Sequence, residues 1–483
     1  MKVKRSYYCH LDDDEIDGIH EASLYILTEF GVKIDSENLK EKLQDYGCTL
    51  SGDRVRFSPR LIASALRGLS DSFMLKSPAG RNLIIDQQSS LAHPSGGMPF
   101  IFDSESKTIR NAINTDLESA ALLVNRLDHL DLVSAFVYPQ DSPPPISQLR
   151  QCECLLRHSE KPLFGIGFTS PGEAYYLVEL FRIFAGSQTE QSPSFPGIVG
   201  ISPLSPLYYP EVITDGMEIL IGAGIPSAMF VAPIAGISAP LTIAGALAQM
   251  NANILAFTAI AYLINPKTPL VYAARLNFAN MKSGHSNWGL PDLGIAGAVA
   301  VQIAKRYGYI SDVYGLSTAS CAYDGQSGFE KMNNALLPYL SGANMLSGSG
   351  ALANLSVASL EQLVIDNEIL AILHKIGRGV TVNSETLALD VIADVIGGGE
   401  FLAQDHTVKH LRDGEIFIPE LSYTGSWSEW AGGSKKDITA NAHAKVENLL
   451  IAGPEHNLPP EFSREINRVM HAAERTLLNS GHA

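Results

Sequence analysis

Basic residues are in short supply here: 35 lysines and arginines stand against 51 acids in 483 residues, a net charge of −16. Nucleic acid and anionic membrane surfaces both select for basic patches, so neither is an expected partner. Cysteine is scarce too. Five residues, odd in number and widely spaced, fit reduced thiols and exclude a disulfide framework. Cys152-x-Cys154 brings two thiols close together, but the surrounding ISQLRQCECLLRHSE reads as a helix that turns them about 200° apart. Zinc sites use a longer spacing and a second ligand pair, so no bound metal is expected. No apolar run reaches membrane-spanning length; the nearest, Ile254–Ile264, is short and follows Gln249, Asn251 and Asn253. The opening MKVKRSYYCHLDDDEIDGIH has no apolar core of a secretory signal, which makes a cytoplasmic location the expectation.

Familiar catalytic signatures are also missing. No strand runs into Gly-x-Gly-x-x-Gly, and there is neither a P-loop nor a Gly-x-Ser-x-Gly elbow. Among His285, His374, His406 and His410, only His406-x-x-x-His410 has helical pair spacing, with no Glu between and Gly/Pro-rich flanks that argue against a helix. A zinc hydrolase is therefore a weak reading.

What is present is apolar. Apolar residues make up 46% and charged ones 18%, enough for a large buried core with surface to spare for a subunit interface. Residues 11–30 read as an amphipathic helix with Ile16, Ile19, Ala22, Leu24, Ile26, Leu27 and Phe30 on one side, and Ser58-Pro59 starts another. Residues 82–110 alternate with period two, predicting a strand, a Gly-rich turn and a hairpin. From about residue 115 a beat sets in: DLVSAFVYP, PLFGIGF, GIVGISPL, PSAMFVAPI, PLVYAA, ISDVYGL and ANMLSGSG, each followed by a loop and a helix. The repeat is about thirty residues, the size of a βα unit. Runs this continuously apolar are buried on both faces, hence parallel. With Leu91–His93 as an eighth strand, the prediction is an α/β fold, a (β/α)₈ TIM barrel over residues 83–380. An N-terminal α+β segment (1–82) and a C-terminal helical extension (381–483) are expected to pack on it; a doubly wound open sheet is the second choice.

Barrel chemistry sits where strands end. That rule selects His93, Tyr138, Phe168, Tyr208, Tyr209, Phe230, Arg275, Asn277, Tyr323, Asp324, Gln326 and Ser347. The rims are rich in aromatics, with Phe278 and Trp288 added, and Trp427 and Trp430 in the tail. Ring faces suit a quaternary ammonium, which has no N–H to donate, although they equally serve as packing at a barrel mouth. Asp324 also suits a helix N-cap, with Gln326 and Glu330 on the first turns beyond it. Glu361, Asp366 and Glu368 lie in an otherwise apolar helix; Glu361 and Glu368 share a face, read as a solvated outer one.

The segments IAGISAPLTIAGALAQMNANILAFTAIAYLINPKTPLVYA, DGQSGFEKMNNALLPYLSGANML, SLEQLVIDNEI, SETLALDVI and FLAQDHTVKHLR resemble the trimethylamine:corrinoid methyltransferase family. The patches follow the family's order over almost the whole chain. The resemblance implies a TIM barrel that passes a methyl group to a corrinoid (cobalamin) on a cognate corrinoid protein. The founding enzymes carry pyrrolysine, which is absent from this sequence. The chain thus looks like the pyrrolysine-lacking branch, typified by glycine betaine:corrinoid methyltransferase. Stretches Ser317–Cys321 and Ser347–Ser349 depart from the more acidic, His-containing trimethylamine versions.

A quaternary amine leaves as a neutral tertiary amine and needs no general acid, so the protein's task is to exclude water and aim one methyl. A carboxylate beside the ammonium would favour the ground state. The resemblance therefore implies aromatic contacts to the ammonium, with His93, Arg275 or Asn277 for a betaine's carboxylate and Tyr208, Tyr209, Phe230, Tyr323 and Ser347 completing the binding site. Asp324, Gln326 and Glu330 fall on a family motif and are assigned to shaping the pocket. Proline betaine, carnitine or another methylamine are alternative donors, and a homo-oligomer is expected. Two other classes stay open. A lyase or isomerase barrel needs a carboxylate–lysine pair or metal ligands, and no predicted strand ends in lysine; a non-catalytic betaine-binding barrel would bind without turnover.

Overall fold

A computed structural model describes residues 8–185, 194–433, 437–451, 453 and 458–479. The opening seven residues, part of the stretch read above for a leader, lie outside it. Eight short strands form one parallel sheet: β1 (Leu91–Pro94), β2 (Val133–Ser134), β3 (Leu163–Ile166), β4 (Gly197–Ile201), β5 (Ser227–Val231), β6 (Leu270–Ala274), β7 (Ile310–Tyr314) and β8 (Met345–Ser349). Neighbours follow chain order, with β8 returning to β1. The ring is completed between β1 and β2, where the Ala92 carbonyl accepts from the Asp131 amide at 2.8 Å and Gly97 donates to Ala135 O at 2.8 Å. The eighth strand is thus the one expected at Leu91, and the open sheet is excluded.

Helices alternate with the strands: α1 (Asp13–Tyr25) comes before the barrel, then α2 (Asn114–Asn125), α3 (Ser147–His158), α4 (Pro171–Phe184), α5 (Glu211–Gly222), α6 (Ile243–Ile264), α7 (Pro291–Tyr307), α8 (Gly325–Leu340) and α9 (Leu360–Arg378). Every residue of β4, β6 and β8 is buried, because side chains face either the barrel interior or the helix layer. Inside, Leu132, Phe164, Ile198, Val271, Ile310 and Met345 form a separate apolar cluster. The antiparallel hairpin Ser72–Lys76/Asn82–Asp86 closes its lower end, inserting Leu75 and Ile85 and bonding to Phe195 O and through Asn344, just ahead of β4 and β8. A barrel plugged from below has room for a ligand only above.

Several expectations are corrected. The first helix gives way at Ile26 to a turn of π-helix, and Ala22 and Phe30 lie exposed rather than on the buried side. Helix α6 begins at Ile243, so by length and composition it is apolar enough to cross a membrane; most of it is buried, packed against α1 and the helix Pro59–Arg67. Cys152 and Cys154 do lie on a helix, and burial pushes both thiols up, Cys154 to about 12, which keeps them protonated. The His406–His410 stretch is helical after all, Gly/Pro flanks notwithstanding.

The acids of α9 are not on a solvated face. Glu361, Asp366 and Glu368 are all buried, Glu361 and Glu368 because the C-terminal chain folds back over them and Asp366 against α8 and the end of β8. Glu368 accepts from the Glu420, Leu421 and Ser422 amides at 2.8, 2.6 and 3.2 Å, and His443 Nδ1 lies 3.0 Å from Glu361. Asp366 takes the Lys331 ammonium at 2.9 Å, the Gly350 amide at 2.7 Å and Gln362 Nε2 at 2.8 Å, while Lys331 also donates to Leu316 O at 2.8 Å. This fully buried pair ties α8 and α9 to the ends of β7 and β8. Lys331→Met leaves Asp366 without its counter-charge, and urea denaturation should report a loss of about 3–5 kcal/mol. A loss within the range of an ordinary surface substitution would contradict the assignment.

Candidate active site

A cavity of about 360 Å³ opens at the end of the barrel where the strands finish. Its walls are mostly apolar or glycine, and among the described residues no Asp or Glu lines it. Gly96, Gly97, Ser202 and Ala232 lie on its exposed rim. Glycine is required in the wall itself: a Cβ at Gly200 would sit 2.4 Å from the Phe230 ring, and one at Gly165 3.0 Å from it.

Arg275, just past β6, holds the floor. Its guanidinium lies between two rings, 4.8 Å from the Phe230 centroid on the end of β5 and 4.6 Å from that of Tyr314 at the end of β7. Nη1 donates to the Ala274 carbonyl at 3.1 Å and the Asp312 carbonyl at 3.2 Å, and Nη2 donates to the Asp312 carboxylate. Three of its five N–H groups are thereby used, leaving Nε–H and one Nη2–H. Asp312 is completely buried inside β7, two residues short of the strand's end. Burial alone pushes this carboxyl up, but Arg275 and His93 outweigh it and hold the group below its ordinary value.

His93 on β1 closes the network from the other side. Nε2 lies 3.3 Å from Asp312 Oδ1, while Nδ1 lies 2.9 Å from Pro94 O and 3.1 Å from Ser134 Oγ. Its ring packs on Phe164, centroids 3.9 Å apart. Above the floor, Tyr138 and Trp288 also face the cavity, with the Trp288 indole 4.8 Å from Tyr314. Among the described residues neither ring carries a Lys or Arg cation.

Of the expected binding residues, then, His93, Phe230 and Arg275 converge with Tyr138 and Trp288, and the others do not line the cavity. Tyr208 pairs alongside Val32–Ile34 and donates to Asp35 at 2.7 Å; Tyr209 is buried behind it and donates to Asn253 O. Asn277 builds a small strand of its own, accepting from Ser286 at 2.7 Å and reaching towards Pro233 O. Tyr323 packs edge-on against Phe102, and Ser347 is spent on Val313 O within the sheet. Phe168 is wedged against Gly216, Phe278 is buried, and Trp427 is exposed in the C-terminal region.

The motif residues act from outside the cavity. Asp324 caps α8, accepting from the Ser327 amide at 3.1 Å. Gln326 donates to Glu330 at 2.8 Å, and Glu330 accepts from the Ala319 amide at 2.9 Å and from Thr318, fixing the loop after β7. The same carboxylate presses on Gly289, beside Trp288. Missing from the expectation are Asp312, Tyr314, Phe164, Ser134, Gln148 and Gln151. A lone acid inside the otherwise apolar ISDVYGL was the readable signal for Asp312, and Tyr314 stands at that strand's end.

Asp312→Asn strands a buried guanidinium, so denaturation should show a loss of about 3–5 kcal/mol at neutral pH. A carboxyl depressed by folding contributes fully above its unfolded value of about 4 and loses that contribution as pH falls through its folded value. The gap between wild type and variant should therefore narrow below about pH 4; a gap independent of pH would contradict the network.

The family model described as trimethylamine methyltransferase (MTTB) matches residues 2–476. Glycine betaine methyltransferase of Desulfitobacterium hafniense (strain Y51) is 28% identical over 473 residues, covering 96% of each chain. Trimethylamine methyltransferase MttB of Methanosarcina barkeri (strain Fusaro) is 28% identical over 474 residues, covering 96% of this chain and 94% of its own. Among solved structures, the monomethylamine methyltransferase MtmB of Methanosarcina barkeri superposes with a TM-score of 0.52 at 13% identity, over 98% of this chain and 90% of that one. That likeness agrees with the barrel.

Proposed function

The chain belongs to the trimethylamine methyltransferase family, and from that premise we propose that it takes a methyl group from glycine betaine, giving dimethylglycine, and passes it to a corrinoid on a separate protein. One observation carries the choice of donor: among the described residues the cavity has a guanidinium at its floor and no carboxylate on its wall. With Arg275 already paired to Asp312, such a floor offers a simple cation no partner and accepts a zwitterion by its anionic end. The two spare N–H groups of Arg275 suit a carboxylate, and charge-assisted bonds of that kind are the strong ones. Trimethylamine, protonated near neutral pH, would bring only a positive charge. The betaine enzyme of Desulfitobacterium hafniense is among the relatives, in line with this reading.

With the carboxylate on Arg275, the trimethylammonium extends towards Tyr138 and Trp288, whose faces stabilise a cation without pairing it. As one N–CH₃ bond breaks, its electron pair stays on nitrogen and the tertiary amine departs neutral, so no proton has to be delivered. The positive charge on nitrogen disappears in this step. An ion pair there would be lost on the way to the transition state, whereas the carboxylate's hold on Arg275 is kept. Asp312 keeps Arg275 in place, and His93 keeps Asp312 in place.

The methyl acceptor, a Co(I) corrinoid, supplies the nucleophile and is a substrate brought to the mouth by its carrier protein. The residues at the opening fit such a visitor: Gly96 and Gly97 present backbone without side chains, and the rim is exposed. Proline betaine and carnitine carry the same two ends and are the alternative donors.

Incubation with glycine betaine and a reduced corrinoid protein should yield dimethylglycine. Choline, which has a hydroxyl in place of the carboxylate, should fall roughly 10- to 100-fold in kcat/KM through loss of the charge-assisted bonds. Equal use of choline, or turnover of trimethylamine in preference to every betaine, would overturn the assignment. Tight betaine binding with no turnover on any corrinoid protein would instead identify a binding barrel.

A further inference from the structure

Helix α9 runs back from the cavity end of the barrel and finishes at the opposite face, where His374 Nδ1 lies 3.1 Å from Nδ1 of His129, in the loop leading into β2. From there the chain leaves the body of the protein as an arm and returns at Glu420 and Leu421, whose amides are clamped by Glu368. Lys375 holds the neck, donating to Gly414 O at 3.1 Å. Between Val380 and Glu420 not one residue is buried.

The composition of this arm does not match its exposure. Within it, α10 (Leu389–Ile396) and α11 (Asp405–Arg412) are each eight residues long and bury nothing. Leu389, Ile392 and Ile396 fall at i, i+3 and i+7, one face of α10, and among the described residues none of the three is buried. Val380, Ile396 and Leu402 are 85%, 80% and 81% exposed, and Phe401, Ile416 and Ile418 elsewhere in the arm are exposed as well. Isolated helices of this length do not hold in water; an apolar face against a second surface must sustain them.

We propose that the arm is the self-association element of this protein, covered in solution by a second copy of the chain. Summed along the arm, its large apolar side chains expose on the order of 1,000 Å², about what each protomer contributes to a stable interface. The corrinoid carrier is the other candidate occupant, and two facts disfavour it. It has to reach the cavity mouth, and the arm leaves from the opposite face. It also has to depart after each turnover, whereas helices that fold only when covered need a permanent, apolar interface. The inference goes beyond the functional reading and holds whichever methyl donor the cavity takes.

Light scattering coupled to gel filtration tests it on the full chain. The wild type should keep a constant multiple of the monomer mass throughout the micromolar range, with or without corrinoid protein. Leu389→Glu/Ile396→Glu, at two largely exposed positions, should run as a monomer with unchanged circular dichroism in the barrel helices. Hydrogen exchange gives a second readout that needs no variant: amides of 389–412 should be protected in the oligomer and lose protection on dilution. A wild-type monomer, a variant of undiminished mass, or an arm protected only when the corrinoid protein is added would each overturn the proposal.

Discussion

A guanidinium buried at the mouth of a barrel has to be neutralised and hydrogen-bonded where it stands, and much of the upper barrel answers to that demand. Strands β6 and β7 are paired so that Ala273 lies opposite Asp312, which places the carboxylate directly under Arg275. Phe230 from β5 and Tyr314 from β7 sandwich the cation. Glycines at 165 and 200 leave room for the Phe230 ring. Because β8 closes back on β1, His93 arrives from the far side of the ring to take the second carboxylate oxygen. The hairpin that plugs the lower end confines the remaining space to this one place.

The consequence is a pocket whose charges cancel among themselves. Asp312 is spent on Arg275 and His93 and does not reach the wall, so a ligand meets spare N–H donors and ring faces. A simple cation gains little there. A molecule with separated charges gains at both ends, and its reacting end is held by the contact whose weakening costs least during methyl loss.

The barrel was legible because its strands are buried on both faces and so read as unbroken apolar runs, and because βα units keep a nearly constant length. The site was legible only in part. His93, Phe230 and Arg275 stand at strand ends whose side chains turn inward. Tyr208, Tyr209 and Asn277 stand at ends as well, but the loops after β4 and β6 form local strands that carry them away from the cavity. Position past a strand does not report where its loop goes. Asp312 escaped for the opposite reason: it lies inside its strand, where the rule does not look. Spacing placed Glu361 and Glu368 on a common face of α9, yet what covers that face is a segment more than fifty residues further on, beyond the reach of any local pattern.

A crystal structure of the protein soaked with glycine betaine tests the central claim most directly. The carboxylate is expected within hydrogen-bonding distance of Arg275 Nε and Nη2, with the trimethylammonium against Tyr138 and Trp288 and one methyl facing the mouth. A betaine with its ammonium at the floor beside Asp312, or bound outside this cavity, would contradict it.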